Sequence, residues 1–228
     1  IEAEQFKGMG VSEDKIEIVP NGIDLSDFEN LMLRGNFRKT WEINNSKIII
    51  LFLARIAIIK RPDLLVTVFA ELLKKTGNIQ LVIAGPDDGY LQALKELVNE
   101  LGIEGKVLFT GPLYGKKKLE AFVDADIYVL PSSYEAFGIT VLEACACGTP
   151  VIVTDRCGIS DIIDNQAGLV VPYDKDCLRD AIFHMLDDEK LRQLFIKNGK
   201  SLVLERLNWG KIVEQLECIY LNCVSAKD

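Results

Sequence analysis

Two glutamates, Glu135 and Glu143, flank Phe137-Gly138 in the segment S-Y-E-A-F-G-I-T-V-L-E-A-C-A-C-G-T-P, which runs from Ser133 to Pro150. Seven residues separate them. The apolar D-I-Y-V-L before this segment reads as a strand, and Gly148-Thr149-Pro150 after it reads as a helix stop. Glu135 then falls in a loop and Glu143 about one turn inside a helix that opens near Gly138 to Val141. The first N–H groups of a helix have no acceptor within it, and the helix dipole favours an anion at that end. A diphosphate could dock on those amides, while each carboxylate accepts hydrogen bonds from sugar hydroxyls. Amides for phosphate beside carboxylates for hydroxyls describe a site for a nucleotide-linked sugar. Spacing alone does not establish this, because two glutamates so far apart also occur as solvated residues.

A second pair of residues extends the pattern. Arg55 directly follows the apolar run Ile48 to Ala54, and Lys60 lies shortly after it, before Pro62. Two cations there could clamp a diphosphate, with Arg supplying a planar fork and Lys a compact charge. They would stabilise charge growing on a diphosphate leaving group.

The elements needed to position these residues repeat with a steady rhythm. Ile48 to Ala54 is a continuous apolar run, as in a strand buried on both faces of a parallel sheet. Pro62 opens a helix with apolar residues at helical spacing through Leu73. Strands follow at Ile79 to Ala84, Val107 to Phe109, Ile127 to Leu130, Val151 to Val153 and Gly168 to Val171. Helices near 91–101, 116–123, 159–163 and 175–186 alternate with them, and the remainder reads as helical to Cys223 with a break at Asn208-Trp209-Gly210. Repeated β–α units predict an α/β fold with a doubly wound, Rossmann-like parallel sheet and right-handed crossovers. Ligands bind such sheets beyond the carboxyl ends of the strands, the edge on which the loops after Ala54, Ala84, Phe109 and Leu130 open. The first 47 residues differ: Lys15 to Val19 could be a strand, Pro20-Asn21-Gly22 is a turn signal, and Asp24 to Glu42 is loop-like or irregularly helical.

Composition narrows the function classes. The 228 residues fit one large domain with an ordinary soluble balance of 49% hydrophobic and 26% charged residues. A net charge of −8 disfavours nucleic acid and anionic membrane surfaces as general partners. Lys116-Lys117-Lys118 reads as a solvated basic face. No apolar run spans a bilayer and no signal-peptide pattern opens the chain, so the default location is cytoplasmic. The six cysteines are scattered without a C-x-x-C, and His184 is the sole histidine. Buried thiols in a reducing compartment therefore fit better than a zinc site. Gly85-Pro86-Asp87-Asp88-Gly89 matches neither dinucleotide nor P-loop fingerprints. Asp124-Ala125-Asp126 precedes its strand, on the edge away from the ligand, which rules it out as a metal-binding D-x-D. A Ser-His-Asp triad has no support.

Together these residues resemble the C-terminal, donor-binding domain of retaining glycosyltransferases of the GT-B architecture, family 4 (glycosyl transferases group 1). The resemblance runs from I-V-P-N-G-I-D-L-S-D-F at Ile18 to about Tyr220. Y-E-A-F-G-I-T-V-L-E-A is its specific part, with V-L-F-T-G-P-L, D-I-Y-V-L-P-S-S and G-T-P-V-I in register around it. It implies catalytic roles for Arg55, Lys60 and Glu135, the cations holding the diphosphate and Glu135 the donor sugar. It implies substrate binding by Phe137 and Gly138 at the sugar, Ile139 and Thr140 through their amides, Glu143 at the ribose, and the segment around Leu113 near the base. It implies transfer of a hexose from a UDP- or GDP-linked sugar to a glycan or lipid-linked acceptor, as in polysaccharide biosynthesis. The anomeric configuration is retained, with no metal, no cofactor and no protein nucleophile.

The family usually carries Gly before the Arg and Gly after the Lys, where this chain has Ala54 and Arg61. The resemblance also implies that only half of a two-domain architecture is here. Residues 1–47 read as a lead-in and linker, 48–207 as the donor-binding Rossmann-like domain and 208–228 as a C-terminal helix. The partners expected are a nucleoside-diphosphate sugar and an N-terminal acceptor domain, with peripheral membrane contact open to the full-length enzyme. A nucleotide-sugar-binding module without turnover is the alternative reading of this polypeptide.

Overall fold

A computed structural model describes residues 2–225. Six strands form one sheet: β1 Ile48–Leu53, β2 Ile79–Ala84, β3 Val107–Gly111, β4 Ile127–Leu130, β5 Val151–Thr154 and β6 Gly168–Val171. Their spatial order is β3-β2-β1-β4-β5-β6, and every pairing is parallel. The doubly wound α/β architecture follows directly. Ile49 to Phe52 in β1 are fully buried, as a strand covered on both faces must be.

Ten α-helices accompany the sheet among the described residues. They are α1 Glu2–Gly8, α2 Asn36–Thr40, α3 Pro62–Leu73, α4 Leu91–Glu100, α5 Gly115–Asp124, α6 Ile139–Cys147, α7 Ser160–Ile163, α8 Lys175–Asp187, α9 Glu189–Glu205 and α10 Trp209–Ser225. Packing sorts most of them into two groups. Helix α3 meets α4 and α8, while α5 meets α2 and α6, and α6 meets α9. Side chains such as Leu65, Phe69 and Leu72 of α3 and Val141 and Leu142 of α6 are fully buried between helix and sheet. None of the helices is long and apolar enough to cross a membrane.

The strand expected at Lys15 to Val19 does not form. A short 3-10 turn ends at Lys15, the next residues are irregular, and Ile18 is 72% exposed. With no neighbouring strand to complete a ladder, the alternation of Ile16 and Ile18 has nothing to pair with. The 24–42 stretch holds a 3-10 turn at Leu25–Phe28 and then α2, whose Phe37 enters the core.

The D-x-D lies where its position in the sequence places it, at the amino end of β4. Asp124 accepts from the backbone N–H of Arg38 at 2.8 Å, and Asp126 accepts from the Arg38 guanidinium at 3.0 Å and the N–H of Ile49 at 2.8 Å. Arg38 is itself buried and also donates to the carbonyls of Asn44, Lys47 and Asp124. The motif thus fastens α2 beneath the sheet, on the edge opposite the ligand side.

Candidate nucleotide-sugar site

The strand order reverses direction between β1 and β4, the position in such a sheet where ligands bind beyond the carboxyl ends of the strands. The loop after β1 carries Arg55 and Lys60, and the loop after β4 carries Glu135 and leads into α6. These loops are tied together: the Ser133 N–H and hydroxyl both donate to the Ile59 carbonyl, at 3.0 and 3.1 Å. Across this seam Lys60 Nζ meets Glu135 Oε2 at 2.6 Å, with side chains only 12% and 18% exposed. Two residues separated in sequence by three of the six strands are thereby brought into direct contact.

Glu135 is held by its backbone as well. Its N–H donates to the Arg156 carbonyl at 3.0 Å and its carbonyl accepts from Gly158 at 2.8 Å, forming a short parallel bridge to the loop after β5. Gly138 then caps α6 with φ +98° and ψ 60°, a left-handed conformation suited to glycine. Its carbonyl accepts from Val141 at 2.9 Å. The N–H groups of Ile139 and Thr140 open the helix, where intrahelical acceptors do not exist. Ile139 projects outward, whereas the Thr140 hydroxyl is 2.7 Å from the buried hydroxyl of Tyr128.

One turn into α6, Glu143 is 14% exposed and its Oε1 lies 2.7 Å from Lys118 Nζ. Its Oε2 is buried and has no hydrogen-bond partner among the described residues. A carboxylate oxygen left in that state is costly, and a hydrogen-bond donor brought to it would offset that cost.

The remaining expected residues are placed less centrally. Arg55 is exposed and turns to Asp88 in the loop after β2. That loop is pressed against the one after β1, since a Cβ on Gly85 would stand 1.8 Å from the Ala54 carbonyl oxygen. Leu113 is buried in the loop between β3 and α5. Phe137 is half-buried and borders a groove of about 630 Å³ lined also by Phe6, Val11, Ile18, Ala136 and Gly158. Lys60, Glu135 and Glu143 do not line that groove.

Three features escaped the sequence. Lys118 is not part of a solvated basic face, as Lys116 and Lys117 are; it reaches Glu143 from α5. Asp88 is the partner of Arg55. Arg61, standing where the family usually has glycine, adopts φ +51° and ψ 46°. The left-handed conformation explains the preference for glycine there; Arg61 holds it while pairing with Asp63 at 2.9 Å and lying over the Tyr173 ring. Among the described residues no group of three or more His, Cys, Asp or Glu side chains is arranged to hold a metal ion.

Fold and site define a class first: a doubly wound α/β domain with a helix N-terminus and two carboxylates at its topological switch point. The family model for glycosyl transferases group 1 matches residues 34–202, so the chain belongs to that family. An uncharacterised glycosyltransferase of Methanocaldococcus jannaschii is 33% identical over 213 residues, covering 91% of this chain and 54% of the relative. The chain thus spans about half the length of that relative. Sucrose-phosphate synthase from Thermosynechococcus elongatus superposes with a TM-score of 0.79 at 26% identity, over 99% of this chain and 57% of that one. Anabaena HepE in complex with UDP superposes with a TM-score of 0.84 at 17% identity, over 96% of this chain and 61% of that one, a likeness of fold. The fold is therefore the C-terminal domain of a GT-B glycosyltransferase.

Proposed function

We propose that this chain is the donor-binding half of a retaining glycosyltransferase that moves a hexose from a UDP- or GDP-linked sugar to a glycan or lipid-linked acceptor. The observation that carries the reading is Glu143, whose buried Oε2, without a partner among the described residues, stands one turn inside the helix whose amides open at Gly138. A ribose hydroxyl satisfies that oxygen while the adjoining diphosphate reaches the amides of Ile139 and Thr140. UDP complexes of an Anabaena protein sharing this fold support a uridine nucleotide as the first donor to test.

Each remaining residue then has a role. The diphosphate lies between the helix end and the cations Lys60 and Arg55, which stabilise the charge it gains as the sugar–phosphate bond breaks. Lys60 and Glu135 neutralise each other before the donor arrives. Phosphate oxygens then approach the ammonium, and sugar hydroxyls approach the carboxylate and the backbone of Phe137 and Gly138. Leu113 presents its backbone to the base. Retention of configuration without a metal or a protein nucleophile fits a site whose groups bind and stabilise charge.

The second domain of the architecture binds the acceptor. Because the chain spans about half of its relative, a second reading applies to the polypeptide alone: it binds nucleotide sugar without turning it over.

Calorimetry with UDP, GDP and ADP tests both readings. One of them binds, and Glu143→Ala weakens it about ten- to a hundredfold, the range for losing a hydrogen bond to a charged group. Unchanged affinity in that variant removes the ribose assignment. Sugar transfer by this chain alone, followed with a radiolabelled donor, overturns the requirement for a second domain.

A further inference from the structure

We propose that Lys118 is a positioning residue for the nucleotide, acting through Glu143. The inference rests on the ribose reading of Glu143 and extends it to a residue outside the site motif. Lys118 sits in the first turn of α5, which packs against α6. Its ammonium is 2.7 Å from Glu143 Oε1, with the two side chains 27% and 14% exposed. Oε2 of the same carboxylate is buried and has no hydrogen-bond partner among the described residues. The two oxygens therefore have different fates: one is fixed from the neighbouring helix, and the other is left for a ligand.

Two physical consequences follow. A glutamate side chain has three rotatable bonds, and anchoring one oxygen fixes where the other points before any ligand arrives. A carboxylate near a diphosphate also repels it, and an adjacent ammonium cancels that repulsion at short range. Lys118 thus lets a negative residue sit beside a negative ligand. Lys116 and Lys117, exposed on the same turn, do neither.

The test compares UDP, GDP and ADP with their 2′,3′-dideoxy counterparts by calorimetry on the 228-residue chain. The wild type should prefer the ribonucleotide by about tenfold or more, and Glu143→Gln should reduce that preference to about twofold. Lys118→Met should lower the preference about fivefold, and Lys118→Arg should restore most of it. The double variant should match Glu143→Gln alone, because both changes act on one contact.

Loss of preference in Glu143→Gln but not in Lys118→Met overturns the role of Lys118 and leaves the ribose reading standing. No preference in the wild type, or no binding of any nucleotide, overturns the ribose reading and this inference with it. Equal weakening of both nucleotide forms by Lys118→Met reduces the lysine to a general charge or to fold support, and also overturns it. Lys118→Ala, which removes the donor without adding bulk, stands in if the methionine variant does not fold.

Discussion

Gly158 sets how closely the loop bearing Glu135 can approach its neighbour. A Cβ at this position would stand 1.9 Å from the Ala136 carbonyl oxygen, inside any real contact distance. The obstacle is backbone, so no rotamer change relieves it. Gly158→Ala must therefore push the 135–138 loop outward, stretching the bridge in which Gly158 donates to Glu135 at 2.8 Å. Overpacking of this kind costs about 1–3 kcal/mol. Nucleoside-diphosphate affinity should fall at least about tenfold while far-UV circular dichroism keeps its helical shape, because the displaced contacts belong to the binding loop. Wild-type affinity in Gly158→Ala would show that the loop does not hold the ligand. Arg61 makes the opposite case. Its left-handed backbone carries a penalty of about 1–2 kcal/mol for a residue with a Cβ, partly offset by its pairing with Asp63 and its place over Tyr173.

At the scale of elements, Tyr128 joins three of them where the sheet reverses. From β4 its hydroxyl donates to the Leu53 carbonyl at the end of β1, at 3.2 Å, and is 2.7 Å from Thr140 in the first turn of α6. Complete burial pushes its phenol well above the usual range, so it stays a neutral donor. Tyr128→Phe leaves the Leu53 carbonyl and the Thr140 hydroxyl without this partner, a loss of about 1–3 kcal/mol. Urea denaturation should show a lower midpoint with an unchanged slope, since the surface exposed on unfolding is the same; an unchanged midpoint would mean that water replaces the hydroxyl freely. Much of this level was legible beforehand. Apolar runs marked all six strands because a strand buried on both faces admits few polar residues, and Gly148-Thr149-Pro150 marked the end of α6. The pairs Lys118–Glu143, Arg55–Asp88 and Tyr128–Thr140 were not legible. Each joins elements whose adjacency comes only from the packing of crossover helices and the order of strands, and no sequence spacing encodes it. Lys15 to Val19 failed for the converse reason, a local pattern without a partner strand.

For the molecule as a whole, the cysteines report what the core encloses. Cys145 and Cys147 on α6 and Cys157 in the loop after β5 are buried, Cys177 is half-buried, and Cys218 and Cys223 are exposed on α10. Burial pushes the thiols of Cys145 and Cys147 up to about 12 and that of Cys157 to about 11. An unfolded thiol ionises near 8.5, so the folded state holds these three protonated. Their contribution to stability is complete below that value and is lost as pH climbs from about 8.5 towards the folded values of about 11 to 12. Labelling with a thiol-reactive disulfide at pH 8 should therefore be stepwise. Cys218 and Cys223 react first, Cys177 follows more slowly, and the buried three respond only in denaturant. Labelling of Cys145 or Cys147 at the rate of Cys218 would contradict their place on the buried face of α6. At about pH 10 unfolding becomes easier, and the buried three should begin to react without denaturant. A bound nucleoside diphosphate stabilises the folded state by mass action and should slow that late phase while leaving the two thiols of α10 unaffected. Protection confined to the buried set would show that the ligand binds the folded state, and no protection would mean that no nucleoside diphosphate binds it under these conditions.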